Sequence, residues 1–374
     1  MVKLLKSIFR ISVLFKILTC ICLFSLVLTY LSPYVNPNTL WFIPFFGVAY
    51  PIIILCTLIL LIIWALARSR WFFVVLFFIL IGGRLHFRMY SLPIGKESST
   101  SSNNIKILSY NVQNFDVYNA NFNNDFTKRD AIFKFLAKEQ ADIVCFQEFY
   151  SQDDKDKFPT KDSLHKILKA KYFHDRMSFN RKYRNSFGVA MYSKYPMLTR
   201  GHVDFDDSVK TSNNFCIFAD IIKNKDTFRI YNTHFQSIKL QNDDYALFGD
   251  STFSSKNKST VIQMIKKLHI AYEKRAHQAE KVIKHMEQSP YEVIICGDFN
   301  DTPLSYVYNL FYTKYTDAFR NSASGLGVTY AGKVPAGRID YIFHSKKIIS
   351  NNFKIQKKAF SDHKAISCEF WKKM

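Results

Sequence analysis

Residues 293–303 read VIICGDFNDTP. An apolar run reaches a glycine and then presents Asp298, Asn300 and Asp301 before Pro303 closes the segment. β-Branched residues bounded by Gly, Asp, Asn and Pro predict a buried strand passing into a turn. Taken singly, the stretch says little more. Its weight comes from recurrence, because other strand-like runs in the chain also finish on residues suited to metal and phosphate chemistry.

Eight such runs are read, at 105–110, 142–147, 187–193, 215–222, 227–233, 292–297, 339–343 and 365–370. The first is followed by Asn111, the second by Glu148 and the fifth by His234. Asp298 and Asn300 follow the sixth, Asp340 stands in the seventh, and Ser361, Asp362 and His363 precede the last. Carboxylates and amides are hard oxygen donors for Mg²⁺ or Mn²⁺, and histidines carry protons or steady a phosphate. Apolar residues at three and four spacing predict a long helix over 260–286 and a shorter one over 127–138. Strands mixed with helices over about 270 residues predict an α/β or α+β sandwich.

The motifs SYNVQNF, DIVCFQE, FGVAMYSKYP, YNTHF, GDFNDTP, GRIDYIF and SDHKA occur in that order over about residues 105–370. Together they resemble the endonuclease/exonuclease/phosphatase superfamily, of the deoxyribonuclease I-like kind, in a membrane-anchored bacterial form. The resemblance implies a four-layer sandwich, two β-sheets packed face to face and flanked by helices, with the site where the strand tips meet. It implies Glu148 as principal Mg²⁺ ligand with Asn111 and Asp362 nearby, and Asp298 orienting or deprotonating the attacking water. It further implies Asn300 holding a phosphate oxygen, His363 oriented by Asp340, and His234 as a second histidine. In deoxyribonucleases a glutamate orients that histidine; RKYRNSFG offers none, and Asn185 is the candidate in its place. Arg275, near the apolar stripe of the long helix, is read as snorkelling, with a reach toward phosphate as the alternative.

Before the sandwich the chain is different in kind. Residues 1–90 hold no Asp or Glu and are dominated by Leu, Ile, Phe and Val. About 20 apolar residues span a bilayer, so 11–31 and 42–66 read as transmembrane helices, and 71–90 as a third with Arg84 and Arg88 at the headgroups. Lys3, Lys6 and Arg10 at the start, Arg68 and Arg70 in the second loop, and no positive charge in 32–40 place the N-terminus in the cytoplasm. Three crossings then put the remainder outside it, in a protein of the bacterial inner membrane. Residues 91–104 read as a polar linker and 105–374 as the catalytic domain.

Eight of the 51 Lys and Arg fall in 1–90, leaving 43 against all 30 Asp and Glu. That surface favours anionic partners, a nucleic acid or a lipid headgroup. No CxxC or Cys/His spacing supports a zinc site, and no helix-turn-helix or stacking-platform motif supports sequence-specific nucleic-acid reading. The expected activity is metal-dependent phosphodiester hydrolysis, with a nuclease ranked first and a phospholipid or headgroup phosphodiesterase second. A phosphate-binding membrane module without catalysis is the reading from another class, and no obligate protein partner is inferred. The polar stretch 239–259 is expected to border the cleft.

Overall fold

The computed structural model describes residues 2–92, 103–123, 125–152, 160–180, 185–205, 214–238, 255–332 and 336–373. Most of the expected linker and residues 239–254 lie outside them, while Ser255–Ser259 open a helix.

Four helices come first: α1 (Val2–Leu31), α2 (Ile43–Leu66), α3 (Trp71–Ile81) and α4 (Gly83–Met89). Two of them, over Val13–Leu31 and Ile43–Leu66, are long and apolar enough to cross a membrane. The expected third span is a pair of helices bent by 62° at Gly82, which passes the same test when taken as one broken span. A Cβ on Gly82 would lie 2.3 Å from the Tyr30 ring, so only glycine lets α1 approach the bend. Trp71 stacks on Trp64 at one end of α2, and Nδ1 of His86 sits 2.6 Å from the Tyr50 hydroxyl near the other. The bent pair therefore runs back along α2.

The membrane region is docked on the sandwich as well as tethered to it. Asn36 donates to Oε1 of Glu280 at 2.9 Å, and Leu304 packs among Leu26, Tyr30, Tyr50 and Leu85. Arg88 was expected at the headgroups but is buried, with its guanidinium over the Tyr312 ring and a 2.9 Å bond to Asn309. Buried Arg338, from the GRIDYIF motif, donates to the Arg88 carbonyl and to Asp317. Ser91, placed in the linker by sequence, already pairs with Gly325.

Among the described residues, twelve strands build two six-stranded sheets, ordered β11-β12-β1-β2-β4-β3 and β5-β6-β7-β8-β10-β9. They are β1 (Ile105–Asn111), β2 (Ile143–Gln152), β3 (Tyr172–Asn180), β4 (Asn185–Ser193), β5 (Met197–Val203), β6 (Cys216–Lys223), β7 (Asp226–His234), β8 (Glu292–Asp298), β9 (Thr316–Asp317), β10 (Asp340–His344), β11 (Ile348–Ile355) and β12 (Ile366–Lys372). The remaining helices are α5 (Val117–Asn123), α6 (Thr127–Glu139), α7 (Thr160–Leu168), α8 (Ser255–Glu287), α9 (Tyr306–Lys314) and α10 (Ala318–Ser322). Alternation along each strand sorts the core into layers. Ile105, Ile107, Ile143 and Met191 meet Ile217, Ile230, Ile294 and Ile342 between the sheets. Leu108 and Val144 face the other way, onto Ile132, Leu136 and Leu164 of α6 and α7. Ile295 and Phe343 face Ala279, Val282 and Phe311 of α8 and α9. The result is the four-layer sandwich.

Register brings the site together. β7 runs parallel to β8 with His234 opposite Asp298, and β10 runs antiparallel to β8 with Asp340 opposite the same Asp298. In the facing sheet, parallel β1 and β2 set Asn111 opposite Gln147. Asn232 of YNTHF joins the two sheets, bonded to the Phe146 and Ala190 carbonyls and to Gln147. The seven cysteines are free, and those of the sandwich are buried.

Candidate active site

Asp298 is the centre of the cluster and is 1% exposed. Its Oδ1 accepts from the Asn300 backbone N–H at 2.8 Å, and Oδ2 accepts from the side-chain amides of Asn111 at 3.1 Å and Asn300 at 3.2 Å. Nε2 of His234 and Nε2 of His363 each lie 3.6 Å from that same Oδ2. Nδ1 of His363 sits 2.9 Å from Oδ2 of Asp340. Thr329 holds Asp340 by accepting its backbone N–H, and Tyr330 meets the His363 ring edge-on at 5.2 Å. Ser361 ties the SDH segment to β1, donating to the Asn111 carbonyl and accepting from the His363 N–H.

Local backbone places the other members. The pairing of β2 with β4 shifts register between Phe146 and Phe149, and within that bulge Glu148 adopts φ 49°. A bulge re-aims side chains: Gln147 turns into the sheet interface and Glu148 into the cleft. Asn300 adopts φ 54°, and the four residues Gln113–Asp116 after Asn111 have φ between 46° and 56°. Such left-handed positions are uncommon for non-glycine residues and persist only when their surroundings hold them. Phe115, fully buried against Phe133, Phe146 and Phe149, is one such lock.

Charge explains the titration behaviour. Burial raises the Asp298 carboxyl above its ordinary value, opposed by His363 and His234 and helped by Asp340. Burial works against a charged His363, but Asp340 and Asp298 outweigh it and hold the imidazolium well above its usual range. For His234 burial wins and lowers its pKa, with Asp298 offsetting part of the effect. Glu148 is pushed up to about 7, chiefly by burial and then by the charge of Asp362.

Glu148, His234, Asp298, Asn300, Asp362 and His363 all line one cavity of about 780 Å³. Asn111 and Asp340 stand behind that lining, bonded to Asp298 and His363. The four carboxylates Glu148, Asp298, Asp340 and Asp362 exceed the positive charge of the two histidines, and their oxygens suit a hard divalent cation. Ligand atoms of Asp298, Asp340 and His363 also lie within 4.8 Å of one another. Nδ1 of His363 is bonded to Asp340 and its Nε2 faces Asp298 at 3.6 Å, so that trio is a chain of alternating charges, while Glu148 is the acid most in need of a cation.

Two sequence readings are corrected. Arg275 does not snorkel: it is 1% exposed, stacks over Tyr272 at 4.6 Å and donates to the Asn300 carbonyl, holding the GDFN turn from the cavity wall. Asn185 does not orient His234, since neither ring nitrogen of His234 has a hydrogen-bond partner among the described residues. Asn232, Thr329, Tyr330 and Arg338 were missed, although YNTHF and GRIDYIF contained two of them.

A two-sheet sandwich with acids, amides and histidines converging on its strand tips defines a phosphoester hydrolase. The chain belongs to the Endonuclease/Exonuclease/phosphatase family, whose model matches residues 108–363. A second family model, described as a domain of unknown function, matches residues 12–89. Among solved structures, humanized D. rerio TDP2 is 16% identical, with 72% of this chain and 100% of that chain covered and a TM-score of 0.50. A family protein from Bacteroides thetaiotaomicron is 14% identical, covering 74% and 100%, with a TM-score of 0.50. One from Leptotrichia buccalis is 17% identical, covering 71% and 99%, also at 0.50. These likenesses show the fold. No curated protein matches the chain.

Proposed function

We propose that the protein is a membrane-anchored, divalent-metal-dependent hydrolase of phosphodiester bonds. The observation that carries this reading is His363 held between Asp340 on Nδ1 and Asp298 beyond Nε2, at the wall of a cavity that Glu148 and Asp362 share. Asp298, basic for a carboxylate, orients a water and takes its proton as the water oxygen bonds to phosphorus and the ester P–O bond breaks. His363, kept charged by Asp340, stabilises the phosphate oxygens, and the Asn300 amide holds one of them. His234, buried and neutral beside Asp298, receives the proton that Asp298 takes from the water and gives one to the leaving alkoxide, ending neutral again. Glu148, with Asn111 and Asp362, would hold Mg²⁺ or Mn²⁺, which when bound supplies charge neutralisation and polarises the phosphate.

The membrane helices support anchoring. α2 and the bent pair place the 32–42 loop and the sandwich at one end of the bundle, opposite Arg68 and Arg70, so the positive-inside rule favours a catalytic domain outside the cytoplasm of the bacterial inner membrane. Nucleic acid and lipid headgroups both carry the bond to be broken. The purified full chain in detergent, given bis(p-nitrophenyl) phosphate, tests the chemistry. Turnover with Mg²⁺, none with EDTA, and at least ~100-fold loss in Asp298→Asn and His363→Ala are expected; turnover indifferent to all three would overturn the reading.

A further inference from the structure

The cavity that holds the catalytic cluster has a second, apolar wall. Phe45, Val48, Ala49 and Ile52, on the first two turns or so of α2, line the same cavity as Glu148, Asp298 and His363. Across it stand Met264, Leu268 and Tyr272 of α8, and Phe45 meets Tyr272 edge-to-face at 5.6 Å. From Phe45 to Ile52 this apolar strip runs about 10 Å along the helix, at 1.5 Å per residue. Val48 and Ile52 are 43% and 68% exposed, so the strip opens outward on a helix long and apolar enough to cross a membrane.

A cleft with one polar end and one apolar end recognises a molecule built the same way. Resting on the phosphodiesterase reading above, we propose that the substrate is an amphiphile whose phosphoester reaches Asp298 and His363 while its hydrocarbon chain lies on α2 against α8. Two observations select this occupant. The strip is continuous with the catalytic cluster, so its ligand is the substrate or part of it. The strip belongs to a helix of membrane-spanning length, so a chain leaving the bilayer reaches the cleft without crossing water. The membrane region thereby contributes a wall of the active site as well as an anchor.

The test uses the full chain in detergent and a series of alkyl p-nitrophenyl phosphates with ethyl, hexyl and dodecyl chains. Burying methylenes on the α2 strip should raise kcat/KM about tenfold or more from ethyl to dodecyl. Val48→Asp and Ile52→Asp should flatten that dependence, and Ile62→Ala, lower on α2 and outside the cavity, should keep it. A dependence that is flat in the native chain, or equally steep in the two aspartate variants, overturns the proposal. So does cleavage of a single-stranded DNA oligonucleotide that exceeds dodecyl ester turnover and ignores the strip. If even the ethyl ester is inert, the phosphodiesterase reading has failed, and the subsite is judged by binding. A diazirine-bearing phosphatidylglycerol in nanodiscs should then label residues 45–52 on illumination, and absence of label there overturns the subsite too.

Discussion

Nδ1 of His363 lies 2.9 Å from Oδ2 of Asp340, across 23 positions of sequence, and Asp340 is itself the register partner of Asp298. One strand pairing thus fixes both carboxylates that flank the imidazole. In Asp340→Asn the ring loses its main source of positive charge, so its pKa drops toward the ordinary histidine range. The native imidazolium persists at alkaline pH, whereas in the variant it is lost as pH rises through a lower value. We expect kcat to fall about 100-fold or more at pH 8, with the alkaline limb of the pH–rate profile displaced to lower pH. An unmoved limb would remove His363 as the charged group.

Glu148, pushed up to about 7 in spite of the His363 charge, is half protonated near neutrality. A proton and a metal ion then compete for one carboxylate, so apparent Mg²⁺ affinity should weaken by about tenfold for each pH unit below 7. Glu148→Gln should raise the Mg²⁺ concentration for half-maximal activity by roughly 10- to 100-fold and abolish that pH dependence. Titrations of activity with Mg²⁺ at pH 6, 7 and 8 check both expectations.

The eight strands legible in the sequence lie away from the sheet edges, and the four that escaped, β3, β5, β9 and β11, are the edges. Edge strands are covered on fewer sides and carry more polar residues; MLTRGHV of β5 is mostly half-buried or exposed and has no strong apolar alternation. Most site residues were legible because they sit at or just beyond the tip of a central strand, where apolar pattern and polar end are adjacent in sequence; Glu148 instead follows the apolar run of β2 at a bulge within the strand. Arg275 was misread because helical periodicity cannot say whether an arginine beside an apolar stripe faces water or a buried carbonyl. The α2 wall was invisible for a related reason: Phe45 and His363 are brought together only by docking of the membrane helices.

Asn232 replaces interior apolar packing with bonds to two strands of the opposite sheet. In Asn232→Ala the Gln147 amide and the Phe146 and Ala190 carbonyls lose this partner in a dry interface. The expected loss of stability is about 3 kcal/mol, since each stranded buried group costs about 1–3 kcal/mol. Thermal unfolding in detergent measures it, and Asn232→Asp should fare no better because an acid cannot donate both bonds.

His344 tests the sandwich by pH without touching the cleft. It is buried with Nδ1 on the Ser345 carbonyl and Nε2 on Ser350, and burial pushes its pKa down to about 4 from 6.5. Between those values the unfolded chain binds the proton and the folded chain does not. Stability from this group is therefore complete above pH 6.5 and declines as pH falls to 4, by up to about 3 kcal/mol. His344→Phe, whose ring can keep the edge contact with Phe370, should flatten the pH dependence of the melting temperature over that window. An equal slope in the variant would assign it to other groups.

Gly297 explains why the opening stretch places a glycine immediately before its acid. It adopts φ 149°, and a Cβ there would lie 1.9 Å from the Thr233 carbonyl oxygen of the parallel neighbour β7. Backbone cannot yield as a flexible side chain does, so Gly297→Ala must push β8 from β7 at the point where His234 faces Asp298. The sandwich has eleven other strands and should still fold, with a stability loss of about 1–3 kcal/mol. Activity should suffer more than stability, because a displacement near 1 Å at a reacting group costs about 100-fold. Measured together, a folded variant with near-native turnover would show that the tip of β8 need not be held against β7 for catalysis.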